Sequence, residues 1–169
     1  MNCIVGVDVG RHSALAIYLD STVRVHKIDM SNPDKAIEAI TGHLNDFGID
    51  LIREAQVLVE KPFCATQQSK SAIQKLGFTF GLWLGVLKTL GCRHLQTITP
   101  NVWSSALMLN GLSKTDRVQH LLTLAKNKGV SIEYSGRKLT HDSADAAGIA
   151  LCKLYYPGKG KDLKEGWYE

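Results

Sequence analysis

Four carboxylates stand out by where they fall in the chain. Asp8 interrupts the apolar run CIVGVDV, and Glu60 ends a second one, AQVLVE. Asp142 and Asp145 lie three residues apart at the start of an apolar C-terminal segment, a spacing that puts both on one face of a helix. A carboxylate inside a buried strand is costly unless it is paired, hydrogen-bonded or bound to a metal. If the strands of Asp8 and Glu60 are neighbours, the last helix could bring Asp142 and Asp145 over them. Four acids at one place favour hard divalent cations, magnesium first and manganese as substitute. Two such ions about 4 Å apart can activate a water and stabilise the leaving oxygen of a phosphodiester. Each acid alone has a plainer reading. Asp8 fits a satisfied structural group, Glu60 a salt bridge to Lys61 or Lys75, and Asp142 and Asp145 a favourable helix start. The joint pattern of strand, strand and helix points to the site.

The elements that must position these acids are legible from periodicity. Residues 3–9 read as a buried strand. Ala14 to Leu19 and Val23 to Ile28 follow as strands with tight connections, an antiparallel meander. Asn32 and Pro33 suit the cap and first position of a helix, with Gly48 as its stop. Ala55 to Glu60 is a fourth, central strand, and residues 61–70 read as a loop. A long helix spans about Ser71 to Leu90, and His94 to Ile98 is a fifth strand. A short helix from Asn101 to Leu109 precedes one introduced by the capping pair Ser113 and Asp116, which runs to about Lys128. Residues 131–140 are polar and read as a loop before the last helix, His141 to Tyr156. The order βββαβαβαα implies an α/β layer fold with a five-stranded mixed sheet flanked by helices. One domain over residues 1–156 and a short, poorly ordered tail over 157–169 are expected.

Composition sets bounds. A chain of 169 residues can bury a core without staples. A net charge of +4 permits nucleic-acid binding without demanding it. Cys3, Cys64, Cys92 and Cys152 form no C-x-x-C pair, which argues against a thiolate zinc site and for reduced, mostly buried thiols. No segment has the length and apolarity of a membrane span, and the N-terminus lacks the pattern of a signal peptide. A soluble, intracellular protein with no membrane partner is expected.

The segments GVDVG with Asp8, VEKPF with Glu60 and HDSADAAGIAL with Asp142 and Asp145 resemble the three acidic motifs of the RuvC-type Holliday junction resolvases. The stretch TPNVWSSALMLNGLSKTDRVQHLL resembles that family's approach to its penultimate helix, and the run GFTFGLWLGVL followed by ITPNVW is closest in flavour to the phage and plant-organelle branches. The resemblance runs in order over most of residues 3–155. It implies an RNase H-like fold and a homodimer that cleaves four-way DNA junctions with two magnesium ions per active site. It implies an intracellular setting, in a bacterial or phage-infected cytoplasm or an organelle matrix. Asp8, Glu60, Asp142 and Asp145 would be metal ligands, with His141 an alternative to Asp142 as the fourth group. Phe63, three residues after Glu60, would contact junction DNA, and so would Lys114. Trp103 departs from the pattern, because some members carry a second lysine there. Other readings are a nuclease of the same fold acting on other branched DNA or RNA–DNA hybrids, and a catalytically silent junction-binding module. A sugar-kinase-like or actin-like phosphotransferase needs far more length.

Two further features need positioning. Arg117, His120, Lys126 and Lys128 lie on one predicted helix, and Arg137 and Lys138 fall in the loop after it. They either neutralise phosphates or form a solvated face. Arg117, Arg137 and Lys138 join Lys114 as candidate DNA contacts. Gly77, Gly81 and Gly85 recur every four residues on the long helix. Each costs about 1 kcal/mol relative to alanine, so close approach of another backbone is expected, from the same chain or from a partner.

Overall fold

A computed structural model of the chain describes residues 3–10, 12–62, 69–136 and 139–162. Among them one sheet runs through the middle and helices cover both faces. The strands are β1 (Ile4–Asp8), β2 (His12–Leu19), β3 (Thr22–Asp29), β4 (Gln56–Glu60), β5 (His94–Ile98), β6 (Ser131–Tyr134) and β7 (Lys161–Asp162). The helices are α1 (Pro33–Asp46), α2 (Ile49–Arg53), α3 (Lys70–Thr89), α4 (Pro100–Ala106), α5 (Lys114–Asn127) and α6 (His141–Tyr155). The sheet order is β6-β3-β2-β1-β4-β5-β7. The meander β1-β2-β3 is antiparallel, and β4 lies parallel to β1. The expected α/β layer fold with a mixed sheet is present.

The sheet has seven strands, where the sequence led us to expect five. The polar stretch read as a loop contributes β6, which pairs parallel with β3. Its residues SIEY are exposed and half-buried by turns, the pattern of an edge strand with a thin apolar face. β7 pairs antiparallel with β5 through Gln96 and Thr97, in the segment expected to be a loose tail. The buried Lys153 holds that end down, donating to Gln96 Oε1 at 2.6 Å and to the Pro157 carbonyl at 2.8 Å. Gly48 serves as more than a stop. Its φ of +94° makes the turn from α1 into the short α2.

Period-two alternation sorts the strand residues between two cores. Val5 and Val7 of β1, with Val57 and Val59 of β4, pack under α1 and α3. Ile4 and Leu58 point the other way, into a core built with α4, α5 and α6. By the same alternation Asp8 and Glu60 face the α6 side. They follow the last registered pair of their strands, Val7 with Val59, and so stand level at the same sheet end.

Helix α6 is buried along nearly its whole length, and its sequence explains how. Ala144, Ala146, Ala147, Gly148 and Ala150 are small enough to let its backbone sit directly on the strands. At Gly6 the approach is closest. A Cβ there would lie 2.6 Å from the Ala146 carbonyl oxygen and 2.7 Å from the Ala150 nitrogen. Both are backbone atoms and cannot rotate away. Gly6→Ala should therefore destabilise the fold by about 1–3 kcal/mol through overpacking, read as a lowered midpoint in urea unfolding. An unchanged midpoint would show that α6 does not depend on this contact.

Candidate active site

Each acid reaches the site by a different element. β1 delivers Asp8, β4 delivers Glu60, and the first turns of α6 deliver Asp142 and Asp145. Thr140 caps α6 with reciprocal hydrogen bonds to Ser143, which fixes the helix start and the heading of both aspartates.

The electrostatics show that the four carboxylates feel one another. Burial pushes the Asp8 carboxyl well above the ordinary carboxylate range, and the charges of Glu60, Asp145 and Asp142 push it further. Glu60 is raised to about 7, chiefly by burial; the Trp103 hydrogen bond works against this, and Asp145 adds to it. Asp145 is raised by burial, while Arg117 pulls it back. Such upward shifts mark buried, mutually repelling carboxyls that the described cations do not fully offset.

The carboxylate oxygens are engaged by protein groups. Trp103 Nε1 donates to Glu60 Oε2 at 2.7 Å. Arg117 Nη2 lies 3.5 Å from Asp145 Oδ1. His141 Nε2 lies 2.8 Å from Asp142 Oδ1 and 3.1 Å from Lys114 Nζ. That nitrogen serves only one of them at a time. As an acceptor it takes a hydrogen bond from Lys114, and as a donor it gives one to Asp142. Among the described residues no three His, Cys, Asp or Glu side chains stand, as they are, in a geometry that would hold a metal ion. The donor set is nonetheless all hard oxygen, gathered at one sheet end and short of positive charge among the described residues, which fits magnesium or manganese in kind.

The structure thus brings Asp8, Glu60, Asp142, Asp145, His141, Lys114 and Arg117 together. Arg117 lies inward among the acids, whereas the sequence placed it with the phosphate-binding face. Phe63, Arg137 and Lys138 lie outside the described residues. Trp103 is the group whose role the sequence reading missed. A nearly fully buried indole with one polar handle needs a partner, and the acid at the end of β4 provides it. The thiols of Cys3, Cys92 and Cys152 are free, and burial pushes each up to about 11, so they stay protonated near neutral pH.

The raised Glu60 predicts a pH dependence of stability in metal-free protein. Its value rises from 4.5 to about 7 on folding, so the folded chain holds the proton more tightly. The resulting stabilisation is complete below pH 4.5 and is lost as pH rises through about 7. Glu60→Gln cannot ionise and keeps an acceptor for Trp103. Its unfolding free energy in chelator, from urea titrations, should therefore gain on wild type across that window, by an amount on the order of a few kcal/mol. A constant difference between the two across that window would show that Glu60 carries no such penalty.

No known family profile and no curated protein sequence matches the chain. Solved structures do. Thermus thermophilus RuvC, in complex with Holliday junction substrate, superposes with a TM-score of 0.68 at 19% identity, covering 96% of this chain and all of that one. A second Thermus thermophilus RuvC structure gives 0.64 at 20% identity, covering 95% and 99%. The yeast mitochondrial Holliday junction resolvase Ydc2 gives 0.51 at 14% identity, covering 93% of this chain and 81% of its own. With the sheet order and the acids on β1, β4 and α6 already placed, these likenesses assign the chain the fold of the RuvC-type Holliday junction resolvases.

Proposed function

We propose that the chain is a structure-specific DNA endonuclease that resolves four-way junctions by metal-dependent phosphodiester hydrolysis. The observation that carries the reading is the convergence of four carboxylates from β1, β4 and α6 at one sheet end, three of them with raised proton affinity. The fold supports it, since a structure of the same architecture holds a Holliday junction. Asp8, Glu60, Asp142 and Asp145 would hold two divalent ions, magnesium or manganese. When bound, such ions lower the pKa of a water and offset charge on the phosphate. The chain's own residues do the positioning. Trp103 orients Glu60, the Thr140 cap aims the aspartates of α6, and exposed Lys114 offers charge to the DNA backbone at the rim. His141, between Lys114 and Asp142, can accept or donate a proton at Nε2. Phe63, Arg137 and Lys138 would extend the DNA contact.

Asp8→Asn or Asp145→Asn should abolish cleavage of a labelled four-way junction in magnesium while junction binding persists or tightens, because each change removes a ligand and also a repulsion toward phosphate. In the same binding assay Lys114→Ala should lose the salt dependence of about one phosphate contact. Near-normal turnover in Asp145→Asn would defeat the assignment of the site. Equal cutting of Y-shaped DNA or an RNA–DNA hybrid would move the substrate away from junctions.

The proposal includes a homodimer. Gly77, Gly81 and Gly85 lie on an exposed face of α3, and nothing among the described residues comes within 4 Å of where their side chains would begin. Packing within the described chain therefore does not explain the stripe. Phe78, 59% exposed, sits beside it. A second copy on this face would account for both. Gly81→Arg should then give a monomer in light scattering, whereas an unchanged dimer would put the contact elsewhere.

A further inference from the structure

Arg117 lies where a cation would compete with a metal. α5 carries it inward, so that its side chain is 29% exposed while most of the helix faces solvent. Its guanidinium carbon sits 5.4 Å from the centre of the Trp103 ring, and its Nη2 is 3.5 Å from Asp145. Its Nε is buried without a hydrogen-bond partner among the described residues. Only part of the guanidinium's donor fork is satisfied. Arg117 also acts on Asp8 and Glu60 as well as on Asp145, in each case favouring the charged carboxylate. One guanidinium thus serves three of the four acids.

Trp103 ties the arrangement together. Its indole N–H holds Glu60 Oε2, and its ring carries the guanidinium that pairs with Asp145. The two residues therefore link the acid of β4 to the acid of α6. They do so with opposite consequences for a cation. The indole orients a ligand oxygen and adds no charge. The guanidinium brings positive charge to the place where the cation's own charge would sit.

We propose that Arg117, seated on the Trp103 ring, is a resident counter-ion that must leave Asp145 before that carboxylate can take a divalent cation, and that Trp103 is the positioning residue for Glu60. The inference rests on the metal-site reading given above, but it concerns only the metal-free state and the cost of leaving it. A partner-poor Nε and a pairing distance at the long end suit a contact that is readily given up.

The test is calorimetric titration of Mn²⁺ into metal-free protein at fixed ionic strength. Arg117→Met and Arg117→Gln both remove the charge and should tighten Mn²⁺ binding on the order of tenfold. Arg117→Lys keeps the charge and should stay near wild type. Trp103→Phe keeps a ring under Arg117 but drops the N–H, and should weaken binding on the order of tenfold, as loss of a ligand's supporting hydrogen bond does. A merely structural role for the pair would weaken binding in every variant. Unchanged or weaker binding in both neutral Arg117 variants would overturn the counter-ion role while leaving the metal site standing. Wild-type protein that takes up no Mn²⁺ would overturn both.

Discussion

The absence of a side chain at residue 6 lets the backbone of α6 lie directly against β1. This contact sets the height of α6 over the sheet, and the height sets the reach of everything α6 carries. Asp142 and Asp145 meet Asp8 and Glu60 because the helix start is held one layer above two parallel strand ends. The small residues of α6 continue the same logic on its other sides. Gly148 leaves room for the Trp103 ring, which a Cβ there would approach to 2.8 Å. That ring in turn seats Arg117. The packing of the apolar core and the geometry of the acids are therefore one constraint.

Against this packing stands a repulsion. Asp8, Glu60 and Asp145 all have raised proton affinities, with burial the first cause of each. A fold selected for stability alone would replace such groups with apolar ones of similar size. Here the fold keeps the acids and surrounds them with modest compensation: one indole N–H, one guanidinium, and the Lys114–His141 pair at the rim. Among the described residues the compensation is partial. Trp103 on α4 and Lys114 and Arg117 on α5 supply most of it, whereas the acids stand on strands and a capped helix. A site arranged this way can exchange its positive partners without moving its negative ones.

Much of this was legible in the sequence because burial and periodicity leave strong marks. Asp8 was conspicuous as a charge inside an apolar run and Glu60 as one ending another, and the structure shows β1 and β4 paired in parallel. Asp142 and Asp145 were conspicuous by helical spacing. What escaped detection leaves weaker marks. β6 is an edge strand of alternating polar residues, and β7 is two residues long, held by pairing to β5 rather than by its own composition. Arg117 looked like one of several basic residues on a solvated helix, because sequence spacing does not say how far a helix rolls toward the sheet. Trp103 looked like a missing lysine. Its role depends on α4 lying beside the end of β4, a tertiary fact that no local pattern carries.

Identity of 14–20% with structures of the same fold shows that the architecture leaves most of the sequence free. In this chain the fold rests on apolar residues at alternate strand positions and small residues where α6 touches β1. Many sequences meet those demands. The chemistry is set separately, by which side chains stand at the sheet end where β1, β4 and α6 meet. In this chain that end holds the acids together with a tryptophan and an arginine that lean on each other. The scaffold fixes where the four carboxylates lie, while Trp103 and Arg117 govern how available their oxygens are. Variation at those two positions would retune a site of this kind without disturbing the sheet or the two cores that enclose it.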